Sequence, residues 1–410
     1  MQVNKRQCSK PVLLVVTTTF PRWKNDTDPP FVYELAKRLT GDFDITVHTP
    51  HYPEATQQEI MGEIKVHRFR YFFERFEKIA GKTAILPFLR ENRRYFFILP
   101  FFLFFQFASL VLLARKIKPD IIHAHWLIPS GFFAVCLVMF GCNVPIIVTC
   151  HGADILGLQS RIFKFIKKIT LARIQGVTVV SNALKEELLK LTGPGKLIEI
   201  IPMGVDSELF CRTRYLQNLC AYQRTGTSLL YVGRLTEKKG VRYLLEGTRK
   251  VLDRGHNVSL IIVGDGEQKE SLQALTNNLG IGSSVKFIGA IPNTELPELY
   301  ALADIFVGPS IATVDGDSEG FGLTFVEASM SGCFLIGTMT GGIVDIIEDG
   351  ISGLLAKPGN SEDLADKIAW AIDNPQLVEK CKKVSLEKNV KNYDWTVISN
   401  RYLNMFLSFI

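Results

Sequence analysis

Two carboxylates eight positions apart, Glu319 and Glu327, bracket a stretch that turns from loop to helix; Asp315 to Gly332 reads Asp-Gly-Asp-Ser-Glu-Gly-Phe-Gly-Leu-Thr-Phe-Val-Glu-Ala-Ser-Met-Ser-Gly. The helical pattern begins at Gly322, which leaves the N–H groups of Gly320, Phe321, Gly322, Leu323 and Thr324 unpaired at a helix N-terminus that attracts phosphate. Glu327 falls between Val326 and Ala328, where an idle surface charge is not expected. Earlier in the chain, Gly233-Arg-Leu-Thr-Glu-Lys-Lys-Gly240 follows an apolar run. Arg234 offers a planar fork and Lys239 a mobile ammonium, a pair suited to a diphosphate whose charge grows as a bond to it breaks. Paired acids also serve glycoside hydrolysis, but that reaction needs no phosphate site.

Three histidines lie close together in sequence. His151, in Cys150-His-Gly-Ala-Asp154, follows an apolar strand and so puts an imidazole where open parallel sheets bind ligands; a hydrogen-bonded core histidine is the plainer alternative. His123 and His125 end another strand and are expected on opposite sides of it. No cysteine or carboxylate at ligand spacing completes a metal set, so neither a metal nor a cofactor is expected.

Positioning these groups takes βαβ alternation. Val12 to Val16, Asp44 to Thr49, Ile64 to Phe69, Ile121 to His125, Ile146 to Thr149, Val177 to Ser181 and Glu199 to Val205 read as strands, with Phe31 to Leu39 the first helix. The alternation restarts with Leu229 to Val232, Ser259 to Val263, Val285 to Ile288, Ile305 to Val307 and Phe334 to Gly337, around helices such as Val241 to Asp253. The fold class is α/β with two doubly wound, Rossmann-like domains, and the crevice between such domains is a natural ligand site. A chain of 410 residues, 47% hydrophobic and 21% charged, is a folded globular protein of two or three domains.

Charge divides unevenly. Through Val205 there are 27 Lys and Arg against 16 Asp and Glu, net +11, and from Asp206 onward 20 against 25, net −5, together the +6 of the chain. The basic half calls for an anionic partner, either lipid or a phosphorylated substrate; no nucleic-acid module is present, so nucleic acid is not expected. Cys8, Cys136, Cys142, Cys150, Cys211, Cys220, Cys333 and Cys381 show no Cys-x-x-Cys spacing and read as buried free thiols of a reducing compartment. The apolar run Val12 to Val16 is too short for a signal peptide. Nothing in the sequence fixes an oligomeric state.

The Glu319-x7-Glu327 stretch, with Gly233-Arg-Leu-x-x-x-Lys-Gly240 matched residue for residue, resembles family 4 (group 1) retaining glycosyltransferases of the type B fold. The resemblance covers nearly the whole chain. It implies an acceptor-binding N-domain over 1–205, a sugar-nucleotide-binding C-domain over 206–390 and a helix over 391–410 returning to the N-domain. It gives Glu319 the transferred sugar, the amides of 320–324 the phosphates and Glu327 the ribose, and places Ile291 at the base-binding edge and Val263-Gly-Asp-Gly-Glu267 on the nucleotide side. His151 resembles the active-site histidine held near the donor sugar's outer hydroxyls, with His125 and Asp154 beside it. In the loop Thr17 to Pro30, where many relatives carry Gly-Gly, this chain has Thr18, Thr19, Phe20 and Pro21, so Thr19 and Phe20, together with His125 and Asp154, are the acceptor-side candidates.

The implied reaction is metal-independent, retaining transfer from a UDP- or GDP-sugar to a lipid-linked or glycan acceptor, in polysaccharide or lipopolysaccharide assembly. Sugar-nucleotide 2-epimerases share the architecture but are not expected to show both motifs; an inactive membrane-bound scaffold is the third reading. Tyr95 to Ala114 has only Gln106 and Ser109 as polar residues and is long enough to cross a bilayer. Because it lies inside the βαβ series, Phe101 to Phe105 are instead expected to dip into an anionic lipid interface on the cytoplasmic side, with the Leu110 side packed inward. A helix buried in the core is the alternative.

Overall fold

The computed structural model describes residues 10–23, 26, 30–81, 85–193, 195–215, 226–314 and 317–410. Cys8, Cys220, Asp315, Gly316, and Lys24, Asn25, Thr27, Asp28 and Pro29 of the first loop lie outside them. The chain forms two compact units, one of Met1–Val179, Leu189–Glu199 and Ser399–Ile410, the other of Val180–Leu188 and Ile200–Ile398.

The first unit holds β1 (Val12–Val16), β2 (Asp44–Pro50), β3 (Gln58–Met61), β4 (Ile64–Phe69), β5 (Ile121–His125), β6 (Ile146–Cys150), β7 (Gly176–Val179) and β8 (Ile198–Ile200), ordered β3-β4-β2-β1-β5-β6-β7-β8. β1 pairs in parallel with both β2 and β5, and β3 joins antiparallel to β4 at the edge. Runs such as Val-Leu-Leu-Val-Val are buried along their length because helices cover both faces of a parallel sheet. The second unit is a six-stranded parallel sheet of β9 (Thr227–Val232), β10 (Val258–Val263), β11 (Val285–Gly289), β12 (Ile305–Val307), β13 (Phe334–Thr338) and β14 (Leu354–Ala356), ordered β11-β10-β9-β12-β13-β14. Each sheet is thus doubly wound, and the order reverses beside β1 in one unit and β9 in the other.

The strand expected over Glu199 to Val205 stops at Ile200, because Pro202 has no N–H to continue a ladder. The residues beyond it are stitched elsewhere: Val205 donates to the Tyr393 carbonyl at 2.8 Å and accepts from Trp395 at 3.0 Å. The terminal helix is Trp395–Leu407. Tyr402, Met405 and Phe406 are buried in the first unit, Met405 against Gly176, and Leu407 is exposed.

The apolar run folds as a short turn, Arg93–Phe97, and a helix, Leu99–Ile117. Phe102, Gln106 and Leu110 share its buried face, whereas Phe97 is 84% and Phe104 65% exposed. Neither amide atom of the buried Gln106 has a partner among the described residues. An orphaned buried amide costs about 1–3 kcal/mol, so Gln106→Met, of similar length, is expected to stabilise the protein by at least about 1 kcal/mol in urea unfolding. Destabilisation would show that the amide is satisfied, for instance by an internal water.

Candidate active site

In the second unit the loops leaving β9 and β12, the two strands at the order reversal, carry the groups suited to phosphate. Tyr231 turns the first loop by donating to the Arg234 carbonyl at 2.9 Å. A Cβ on Gly240, which has φ +64°, would stand 2.1 Å from the Pro309 carbonyl, so glycine lets the two loops touch. There Ile311 donates to the Lys238 carbonyl at 2.8 Å, Lys238 pairs with Asp317 at 3.0 Å, and Lys239 pairs with Glu319. Both side chains of the Lys239–Glu319 pair are mostly buried, while Arg234 is exposed. Burial alone would raise the Glu319 carboxyl, but Lys239 first, then Lys238 and Arg234, hold it below its ordinary range. Glu319 therefore stays ionised.

The helix Leu323–Met330 starts after Gly322, which has φ +97°. Its first bond runs from the Phe325 N–H to the Gly322 carbonyl at 2.9 Å, and no backbone acceptor takes the N–H of residues 320–324 among the described residues. Two glycines that the sequence reading passed over support this loop from beneath. The Gly342 N–H donates to the Glu319 carbonyl at 3.0 Å, and a Cβ on Gly341 would lie 1.9 Å from that oxygen. A Gly-Gly pair at the carboxyl end of β13 was the available signal. Ile291 lies half-buried in the loop after β11.

Glu327 accepts a hydrogen bond from the Tyr300 hydroxyl at 2.8 Å, and burial raises its pKa to about 7, with Tyr300 opposing. Tyr300, on the helix Leu296–Leu302, was not expected to hold it. A folded pKa above the unfolded value of 4.5 means the free protein loses stability as pH rises from 4.5 through 7. The loss is at most about 3 kcal/mol, reduced where water reaches the half-buried carboxyl. A diol donating to the carboxylate favours the ionised form, so nucleoside diphosphate binding should release protons near pH 7 and weaken below it. Calorimetry in two buffers of different ionisation heat measures this; equal release from Glu327→Gln would sink the assignment.

The first unit groups the histidines differently from expectation. His123 and His125 are two residues apart on β5 and therefore share a face, with ring centroids 4.3 Å apart; the opposite-side expectation is corrected. The His123 ring meets the Thr149 hydroxyl at 2.7 Å, and Thr149 meets Tyr402 at 3.1 Å. His125 Nδ1 lies 3.0 Å from His151 Nε2, and Trp126 and Phe31 pack on the His151 ring. Burial lowers His151 to about 4, against Asp154.

Three of the acceptor-side candidates, Phe20, His125 and Asp154, are buried in the fold. His125 is fully buried. The Asp154 carboxylate is engaged by the backbone N–H groups of His151, Gly152 and Leu127 at 3.1, 3.0 and 2.9 Å, so it fixes the histidine loop. Phe20 is buried edge-on to Tyr33. Only Thr19 remains half-buried at the end of β1, its N–H on the Thr17 hydroxyl at 3.1 Å. Lys167, buried and donating to the Ile155 and Gly157 carbonyls at 2.9 and 2.6 Å, props the same loop and carried no sequence signal.

Comparison with known proteins agrees with this architecture. The profile described as "Glycosyltransferase Family 4" matches residues 30–209 and that of "Glycosyl transferases group 1" matches residues 223–388, together most of the chain. An uncharacterized glycosyltransferase of Methanocaldococcus jannaschii is 29% identical over 70% of this chain and 75% of its own. Sucrose-phosphate synthase from Thermosynechococcus elongatus superposes with a TM-score of 0.79 at 18% identity, over 97% of this chain and 98% of its own. Anabaena HepE in complex with UDP-glucose gives 0.72 at 19% identity, over 97% and 99%. The chain belongs to the group 1, family 4 glycosyltransferases and has their type B fold.

Proposed function

We propose that this glycosyltransferase is retaining and metal-independent, and moves a sugar from a UDP- or GDP-sugar to a lipid-linked glycan at the cytoplasmic face of the plasma membrane. The observation that carries the donor reading is the Lys239–Glu319 pair set beside the unpaired amides of 320–324. The UDP-glucose bound by HepE supports a nucleoside-diphosphate sugar. In a front-face reaction the acceptor oxygen bonds to the anomeric carbon as the bond to the diphosphate breaks. The acceptor's proton passes to the departing phosphate oxygen. Arg234, Lys239 and the helix-end amides stabilise the charge left behind. Glu319, held ionised, orients the sugar hydroxyls, and His151 meets others.

The membrane reading rests on a surface of the first unit. Phe101, Phe104, Phe105 and Leu112 of Leu99–Ile117 are exposed. Phe107 packs on Phe133 and Phe140 at 5.4 and 5.3 Å, and next to Phe140 stands Met139, 81% exposed. The helix Arg161–Arg173 adds exposed Ile162 and Phe165 among Arg161, Lys164 and Lys168, and no Asp or Glu occurs from Ile155 to Lys185. Apolar side chains set among cations suit an anionic lipid interface. No disulfide joins the six described cysteines, which supports a reducing compartment.

A thermal-shift screen of UDP-, GDP- and ADP-sugars tests the donor, since a ligand at about 100 times its Kd stabilises by about 2.7 kcal/mol. No shift with any of them would sink the reading. With the donor known, transfer to lipid-linked acceptor should persist in EDTA. Loss restored by a divalent ion would overturn the metal-free mechanism.

A further inference from the structure

β5 and β6 pair with His125 opposite Thr149, and His151 lies two residues beyond Thr149, so the ladder brings the two imidazoles to one face. Their rings stack at 5.3 Å and 15°, with His125 Nδ1 3.0 Å from His151 Nε2. One hydrogen fits between two nitrogens at that distance, so one ring donates and the other accepts. Which ring donates is decided by what surrounds them. Asp154 is engaged by backbone amides, and His123 by the Thr149 hydroxyl at 2.7 Å, so neither competes for this contact. His125 Nε2 is buried and has no partner among the described residues. A hydrogen there would be an orphaned buried donor, which proteins avoid more strictly than an unmet acceptor. His125 therefore carries its hydrogen on Nδ1 and donates it to His151 Nε2. A neutral His151 must then keep its own hydrogen on Nδ1.

We propose that His125 is a positioning residue that fixes His151 as the Nδ1–H tautomer, so that His151 offers the sugar a hydrogen-bond donor and not a base. Burial, which lowers both rings, keeps them neutral at physiological pH. The proposal rests on the sugar-facing role given to His151 above.

Nitrogen-15 spectra of the full chain with labelled histidine, with His151 assigned from the His151→Gln spectrum, should show His151 protonated at Nδ1 and bare at Nε2. In His125→Phe, which keeps a flat ring but no nitrogen, His151 should shift toward the Nε2–H form; His125→Asn, whose amide N–H stands where Nδ1–H stood, should restore the wild-type pattern. Turnover of the donor found by the thermal-shift screen should fall about tenfold in His125→Phe, the loss of one hydrogen bond, with nucleoside diphosphate affinity unchanged and partial recovery in His125→Asn. An Nε2–H His151 in the wild type, or an unshifted tautomer in His125→Phe, overturns the proposal. Where His125→Phe does not fold, the wild-type spectrum alone decides. Wild-type turnover in His151→Gln, alongside a wild-type spectrum that shows His151 protonated at Nδ1, supports the pairing and overturns the sugar-facing role.

Discussion

Lys239→Met is expected to slow sugar transfer about 10²–10³-fold, the loss that follows removal of one preorganised group facing developing charge. Lys239 stands opposite Glu319 at the end of β9, where the loops from the two central strands touch. Methionine keeps the length of the side chain and removes its charge. It also leaves Glu319 mostly buried without its nearest cation, which raises that carboxyl and costs stability, at most about 3 kcal/mol because some water reaches the pair. The two effects separate in the double variant. Lys239→Met with Glu319→Gln should regain most of the stability, since no buried charge is left alone, yet stay slow, since the cation is still missing. Unfolding curves and donor turnover on the three proteins decide. If activity returns together with stability, Lys239 serves the fold and not the departing diphosphate.

The loops proposed for the donor were legible in the sequence because their groups sit in contiguous motifs at strand ends. Gly233 to Gly240 and Glu319 to Glu327 each hold turn, cation or acid within one short stretch, and the helices Phe31–Leu39 and Val241–Asp253 end where their apolar spacing ends. What was not legible joins residues far apart in the chain. Tyr300 reaches Glu327, Gly341 and Gly342 bed the Glu319 backbone, and Lys167 braces the His151 loop, each through a contact that only the folded sheet creates. The histidines were misread for a simpler reason: alternate residues of a strand share a side, so His123 and His125 had to face together. β3 and β14 escaped notice because four residues of Gln-Glu-Ile-Met at an edge, and three of Leu-Leu-Ala, carry too little pattern to stand out.

Phe101→Ser with Phe104→Ser is expected to release the protein from vesicles containing anionic lipid. Both rings are exposed on Leu99–Ile117, the one helix among the described residues long and apolar enough to cross a membrane. Its opposite side is taken up by the fold, since Phe102 packs on Phe69 and Tyr71 and Leu110 is buried. A helix fixed by one face to its domain is expected to lie along a lipid interface and not to cross it. Burying a fully exposed phenylalanine is worth about 1.5–3 kcal/mol, and Phe101 and Phe104 are about half exposed, so removing both lowers partitioning by at most about 3 kcal/mol, up to roughly 100-fold. Attraction by Arg93, Arg94, Arg115, Lys116 and the Arg161–Arg173 helix is screened, so wild-type binding should also weaken at high salt and on neutral lipid. The proposed nucleotide site lies in the second unit, so nucleotide binding should be unchanged in the double variant. Sedimentation with vesicles of either composition measures the first effect and thermal shift the second. A wild-type protein that ignores anionic vesicles at low salt would refute the membrane reading and leave those phenylalanines to a protein partner.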